Sequence, residues 1–202
     1  MKNYYPCYDE LIAHLLNIMP MPERFPDLLI PHLTPPITYH ENTPALNIGE
    51  IADMAYWPVK GYTRSYVKYK PEEDREYYKQ RTVDISLPRI TSLPVNSYMN
   101  QEDAEYYMEI AKGSIMVGFS YTSFMSLCRE MPEVALLALK IVSAAEAHWL
   151  VKMEICKVTC KVGYKRFLDY FGEEVTEFIE QQHVATYIGT TSEELSRIKK
   201  GD

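Results

Sequence analysis

The sequence is short of positive charge. Lys and Arg total 21 against 28 Asp and Glu, a formal charge of −7 at neutral pH. That balance excludes a protein that coats nucleic acid without regard to sequence, because such binding runs on phosphate neutralisation. It leaves room for a small, local basic site. Histidines number five, and no HxH pair occurs. Of them only His40 falls in a β-rich stretch, so an enzyme with a histidine-bound metal in a barrel is set aside. The four cysteines, Cys7, Cys128, Cys156 and Cys160, include no CxxC pair. Cys156 and Cys160 lie one helical turn apart, with His148 two turns before Cys156, which is one way to hold a metal. Reduced, buried thiols are the simpler reading, and no metal is assigned. No apolar run approaches the roughly 20 residues of a membrane span. The opening MKNYYPCYDEL lacks the apolar stretch of a signal peptide. A cytoplasmic protein without a membrane partner is expected. Internal repeats and low-complexity tracts are missing as well.

What is present falls into three stretches. CYDELIAHLLNI places Leu11, Leu15 and Ile18 at helical spacing, so a helix is expected over 7–18. A proline-rich passage comes next, MPMPERFPDLLIPHLTPP, which permits only short turns. From Ile37 to about Gly118 the pattern is β. Much of the chain's tyrosine, 17 residues in all, lies in this half and suits half-buried strands. Gly49 and Gly61 mark bends, and Lys70-Pro71-Glu72-Glu73-Asp74 reads as a hairpin connection. TSLPVNSYM and YYMEIAKGSIMVGFS read as a second β stretch. Short strands at this spacing indicate a sandwich or jelly roll. At Ser120, a candidate N-cap, the period becomes helical. Behind Pro132 runs a long helical pattern reaching about residue 160. Val134, Ala138, Ile141, Ala145, His148, Lys152 and Ile155 descend one face, and Leu136, Leu139, Val142 and Leu150 cover another. A helix apolar over most of its circumference is buried on more than one side. One side meets the β domain and the other meets a second copy of the chain; the alternative is a central core helix in a monomer. The pairing positions are taken as Val134, Ala138, Ile141, Ala145 and His148. Gly163 and Gly172 punctuate the stretch after it, with GYKRFLDYF and EVTEFIEQQ as short helices. The domains expected are 1–130, a β roll; 131–160, a dimerisation helix; and 161–202, a DNA-binding unit. The class is α+β.

The closing segment, QQHVATYIGTTSEELSRIKKGD, matches a helix-turn-helix template. Val184 and Ile188 lie one turn apart on the first helix. Ala185 is the small residue at the crossing, and Gly189 supplies the turn, where positive φ is cheap. Leu195 and Ile198 form the inward face of the second helix. Thr191 caps that helix, with Glu194 three residues on, as in a capping box. The outward face is then Ser192, Glu193, Ser196, Arg197 and Lys200, whose chemistries suit the major groove. Arg197 is the first candidate for reading a base. Thr191 and Ser192 lie at the helix N-terminus, which favours a phosphate, and Lys199 and Lys200 are phosphate candidates. The plain alternative is a packed helical hairpin with a solvated face. Tyr164, Lys165 and Arg166 are candidates for further backbone contacts.

A β-rich front, a long helix and a terminal helix-turn-helix together resemble the cyclic-AMP receptor/fumarate-nitrate regulator (Crp/Fnr) family over nearly the whole chain. IGEIADMAYWPVKGYTRSYVKY is similar to the family's strand–turn–strand passage, MPEVALLALKIV to the start of its dimer helix, and HVATYIGTTSEELSRIKK to its helix-turn-helix. The ending is similar to a short-ended branch common in Bacteroidetes-type sequences, which implies a complete reading head. The resemblance implies a cyclic-nucleotide-binding-like jelly roll, a homodimer and transcription regulation. The family's nucleotide-binding members carry a Gly-Glu pair and an arginine in the loop and short helix between late strands. Here that region is about Ser92–Ala111. It has no Gly-Glu pair, no arginine occurs from Ile90 to Cys128, and Glu102, Asp103, Glu105 and Glu109 make it acidic. Gly49-Glu50 belongs to an earlier turn. A cyclic phosphate would meet repulsion with no bidentate partner, so neither cyclic AMP nor any other cofactor is expected. The cysteine cluster of the iron–sulfur members is missing too.

The function expected is a dimeric regulator that reads double-stranded DNA sequence, with a degenerate nucleotide domain open to an effector of unread identity. The second reading is a ligand-sensing or protein-interaction module of the same fold that no longer binds DNA. An enzyme is not expected.

Overall fold

The computed structural model describes residues 4–70 and 78–201. The proposed connection Pro71–Asp74 lies outside them. The chain divides into two compact units, Met1–Thr63 with Ser86–Ala145, and Arg64–Ile85 with Glu146–Asp202.

The first unit opens with helix α1 (Cys7–Ile18), which buries Tyr8, Leu11, Ile12 and Leu15. The proline-rich passage yields only α2 (Phe25–Leu29), with proline in its first turn, and a 3-10 turn at Ile30–His32. Proline has no N–H to donate and its ring crowds the preceding turn, so neither piece extends. Strands β1 (Ile37–Thr38), β2 (Thr43–Leu46), β3 (Met54–Lys60), β4 (Thr63–Tyr69) and β5 (Lys79–Ser86) come next. Helix α3 (Val95–Asn100), strands β6 (Tyr107–Ile110) and β7 (Ile115–Ser120), and helix α4 (Tyr121–Glu130) complete the front half. One antiparallel sheet has the order β1–β7–β3, and β2 pairs antiparallel with β6. Pro44 and Pro58 both lie in edge strands beside a register shift. Proline is tolerated in sheets at such edges and bulges. Tyr8, Leu15, Phe25, Trp57, Leu127 and Leu137 belong to one core cluster; Leu46, Tyr98 and Met108 belong to another. Ser120 caps α4, its hydroxyl accepting from the Ser123 N–H at 3.1 Å.

Three expectations change. TSLPVNSYM is not a strand: Ser92 makes one bridge to Tyr56, and Pro94 then opens α3, which ends at Gln101 in the left-handed region (φ 55°). The long helix α5 (Glu133–Cys156) ends short of residue 160, and the short helix expected at GYKRFLDYF, α6 (Cys160–Phe171), begins before Gly163. Gly163 lies inside α6, where a Cβ would stand 2.8 Å from the Ile155 carbonyl oxygen. The glycine there permits close approach of two backbones and does not mark a turn. EVTEFIEQQ begins as a 3-10 turn, Glu173–Glu177, after Gly172 ends α6 at φ 89°.

Helix α5 also revises the reading of apolar runs. An 18-residue stretch of it has mean hydropathy 1.6, long and apolar enough to cross a membrane by length and composition alone. Isolated charges at Lys140 and Glu146 interrupt the run, yet its mean hydropathy stays at 1.6. Val134, Leu137, His148 and Ile155 on this helix are buried inside the folded chain.

The second unit contains β4 and β5, which are neighbours in a sheet, the end of α5, α6, and the closing pair α7 (Gln181–Ile188) and α8 (Ser192–Lys200). Phe167, Val175, Ile179, Val184, Ala185, Ile188 and Leu195 are among its buried residues. Phe167, Phe171 and Tyr187 form an aromatic group with ring centroids 4.7 to 5.7 Å apart.

Candidate nucleic-acid interface

Helix α7 presents His183, Val184, Ala185, Tyr187 and Ile188 to the interior. It ends at Gly189, whose φ of 82° is left-handed and whose N–H bonds the Ala185 carbonyl. The Thr190 N–H bonds that same carbonyl at 2.9 Å. Thr191 is extended, and its hydroxyl accepts from the Glu194 N–H at 3.2 Å, starting α8. Gln181 Nε2 donates to the Ser192 carbonyl at 3.0 Å, tying the first turns of the two helices together. Leu195 is buried and Ile198 half-buried. At the far end Gly201, φ 84°, bonds back to the Arg197 and Ile198 carbonyls. The six positions Val184, Ala185, Ile188, Gly189, Leu195 and Ile198 thus come together as one helix–turn–helix.

With Leu195 inward, the 100° step per residue puts Glu193, Ser196, Arg197 and Lys200 on the opposite face. Glu193, Arg197 and Lys200 are exposed and Ser196 is half-buried. Ser192 lies to the side of this stripe and is half-buried, and Thr191 is an exposed cap. Lys199 is also off the stripe. It lines a hollow of about 120 Å³ with Tyr164, Thr176 and Gln181. The Arg197 side chain is 71% exposed, and its Glu194 partner is 3.6 Å away. That pair is solvated and holds Arg197 weakly. The Glu193 carboxyl is kept below the usual carboxylate range, first by its own backbone N–H, then by the Thr191 side chain, with Lys79 and Arg197 adding to it. Arg197, Lys199 and Lys200 crowd the last turn of α8 and Glu193 and Glu194 its first, which complements the helix dipole. Arg166 donates to the Glu154 carbonyl at 2.9 Å, so it already has a partner in its own unit.

Beneath the two helices lies a polar layer that no sequence motif signals. Arg64 on β4 is only 2% exposed. It donates to Thr82 Oγ1 at 3.0 Å, Gln80 Oε1 at 2.8 Å and His183 Nε2 at 3.0 Å, and lies 4.5 Å from the Tyr66 ring centre. A guanidinium only donates, so His183 Nε2 accepts and the ring is neutral, with its proton on Nδ1. Burial, then the charge of Arg64, pulls the His183 pKa down. The Thr82 and Thr186 hydroxyls bond at 2.7 Å. Lys152 donates to the Thr82 carbonyl at 2.9 Å and to the Val83 carbonyl, and burial lowers its pKa to about 8. His148 bonds Asp84 at 2.7 Å and Tyr170 at 2.9 Å, and Cys156 Sγ lies 3.2 Å from the Tyr187 carbonyl. Among the described residues no three His, Cys, Asp or Glu side chains converge as a metal set would.

Two of the five pairing positions expected on α5 are turned inward. Val134 and His148 are buried within the chain's own units, and Ala138, Ile141 and Ala145 are half-buried beside them. Val134 and His148, already covered, have little surface left for another subunit. The large apolar side chains most exposed on α5 are Leu136 (51%), Leu139 (63%), Leu150 (60%) and Met153 (50%), with Trp149 at 40%. Positions 136, 139, 150 and 153 fit one heptad stripe.

In the first unit, Glu50 belongs to its own turn. Its carboxylate accepts from the Asn47 backbone N–H at 2.8 Å and from Asn47 Nδ2 at 3.1 Å, and these bonds hold its pKa down. Glu102, beyond α3, accepts from Asn96 at 3.2 Å.

No protein-family model and no curated protein matches the sequence. Solved structures do match the fold. FixK2 from Bradyrhizobium japonicum has a TM-score of 0.64 at 16% identity, over 83% of each chain. A transcriptional regulator of the Crp/Fnr family from Eubacterium rectale has 0.63 at 14% identity, over 99% of this chain and 87% of that one. The c-di-GMP responsive global regulator CLP of Xanthomonas campestris has 0.61 at 14% identity, over 87% and 88%. At these identities the likeness is one of architecture: an antiparallel β front, a long helix and a helical end make this the fold of the Crp/Fnr regulators.

Proposed function

We propose that the chain is a dimeric, sequence-specific DNA-binding transcription regulator that works in the cytoplasm, with α8 as the reading helix. The observation that carries this is α8 itself. It is capped by Thr191, seated on Leu195, and joined to α7 through a left-handed Gly189. Its outward face is Glu193, Ser196, Arg197 and Lys200. Arginine donates two parallel bonds to guanine, and glutamate and serine accept from or bond to base edges. Thr191 and Ser192 offer backbone N–H groups to a phosphate at the helix start, and Lys199 and Lys200 supply cations at its end.

A second copy of the chain covers Leu136, Leu139, Leu150 and Met153. These are the large apolar side chains on α5 that are at least half exposed, and heptad stripes of this kind pair helices. Dimers of this type read half-sites about one helical turn apart. We infer that cyclic AMP does not bind in the family's usual way, a reading supported by the loop around α3, which is acidic and has no arginine, and by the Gly49-Glu50 pair, which is taken up in its own turn.

The test is selection of bound sequences from random duplex DNA by the purified chain, then titration at rising salt. Enrichment of a two-fold symmetric site, with affinity falling as salt rises, is the expected result. No enrichment, with no affinity for duplex DNA at low salt, would overturn the proposal. That outcome is the one favoured by Glu193 and Glu194 in the first turn of α8, and it would leave a binding module of the same fold.

A further inference from the structure

We propose that the first unit holds a binding site for a small, uncharged apolar molecule, the size of one aromatic ring or a short hydrocarbon chain. The site is a cavity of about 100 Å³ within that unit. Leu11, Leu29, Trp57, Phe119 and Leu137 contribute to its walls, from α1, α2, β3, β7 and α5 in turn. Among the described residues, no Asp, Glu, Lys, Arg or His lines it. Its hydroxyl-bearing residues are Tyr56, Thr91 and Tyr98, and the Tyr98 hydroxyl already donates to the Phe119 carbonyl at 3.3 Å.

These walls select by desolvation. A phosphate or carboxylate would lose its hydration there and gain no cation or row of donors. An apolar guest loses no hydrogen bond on entry and restores dispersion contacts that lining atoms facing a void lack. Apolar core cavities somewhat larger than this one stay dry and admit benzene. The site therefore differs in chemistry from a nucleotide pocket.

The position of the cavity supplies a route for a signal. Val134, Leu137, Ala138 and Ile141 line it from the inner side of α5. Leu136 and Leu139, in the same turns, face outward. A guest that displaces the inner side moves the outer side with it, because a helix is stiff across its width. This last step rests on the proposed dimer; occupancy of the cavity does not.

The experiment uses the full chain carrying labelled leucine, isoleucine and valine methyl groups, titrated by NMR with benzene and, separately, with cyclic AMP. Saturable benzene shifts are expected at Leu11, Leu29, Leu127 and Leu137, with Ile188 and Leu195 unmoved, and no shift at the cavity with cyclic AMP. Ala138→Leu and, as a second variant in a strand, Ala55→Val each fill part of the cavity, and each is expected to weaken benzene binding at least tenfold. The proposal is overturned if the lining methyls show no saturable shift, if both filled variants bind like the parent, or if cyclic AMP moves the same methyls. No DNA enters the measurement, so its failure and the failure of the regulator reading are separate results.

Discussion

Tyr187 offers a sharp test of the packing beneath the helix–turn–helix. The residue is 1% exposed, and among the described residues its hydroxyl has no hydrogen-bond partner. Phe167 and Phe171 lie against its ring, at centroid distances of 5.5 and 5.7 Å, and Lys152 Nζ lies 4.6 Å from the ring centre. Burial pushes the phenol well above its usual pKa, so the group is a neutral donor that donates to none of them. A buried hydroxyl left without a partner costs about 1–3 kcal/mol. Tyr187→Phe removes that oxygen and keeps the ring. The cation over the ring is held slightly less well by phenylalanine, a loss of a few tenths of a kcal/mol on a term of about 1 kcal/mol. The net gain is about 1 kcal/mol, which raises the melting temperature of a chain of this size by about 2–4 °C. Scanning calorimetry at fixed pH and protein concentration measures it, since a dimer's melting depends on concentration. Affinity for DNA stays the same, because Tyr187 is not on the outward face of α8. If the variant instead lost about 1 kcal/mol, the hydroxyl would have a partner and the packing described around it would be wrong.

The same geometry sets three further outcomes. Arg197→Ala changes stability by no more than about 0.5 kcal/mol, since the side chain is exposed and weakly paired. It costs about 1–3 kcal/mol on a cognate duplex, read by fluorescence anisotropy, and relaxes one base position. Leu139→Glu removes about 1–2 kcal/mol of burial in each copy, so a dimer loses about 2–4 kcal/mol, or roughly 30- to 1000-fold in its dissociation constant. Sedimentation would show a folded monomer, and an unchanged dimer would move the interface off this stripe. His183 is held neutral, with a pKa pulled down to about 4 by burial and by Arg64. The unfolded chain takes up this proton near pH 6.5, so the unfolded state binds more protons between those values. Its contribution is therefore full above about pH 6.5 and lost as pH falls towards 4. Urea unfolding across that range should fall more steeply for the parent than for His183→Gln, and equal slopes would show that this ring does not titrate as argued.

Signals that act within a few residues were readable from the chain. Leu11 and Leu15 mark α1, Ser120 caps α4, and Gly189, Thr191 and Leu195 place the turn and the second helix, because a cap or a left-handed turn is satisfied by its immediate neighbours. The end of α5 at Cys156 and the start of α6 at Cys160, ahead of Gly163, were not readable. Both depend on Gly163 meeting the Ile155 carbonyl, a contact made only once α6 folds back. The α3 segment carries apolar residues that suit a strand, yet Pro94 starts a helix there. A cavity has no local signature at all, since its walls come from seven separate helices and strands.

The clearest division concerns α5 and the layer beneath α7. The amino-acid sequence determined that the stretch behind Pro132 is helical and apolar around most of the circumference, and that the last two helices form a helix–turn–helix with a polar outer face. Helical period alone cannot choose which apolar face turns inward when both qualify. Tertiary structure chose Val134, Leu137 and His148, and left Leu136, Leu139, Leu150 and Met153 exposed. It likewise joined Arg64 to His183 across 119 positions of chain. Contacts of that range are fixed by the packing of whole elements, where burying a charged guanidinium is tolerable only if several acceptors converge on it at once.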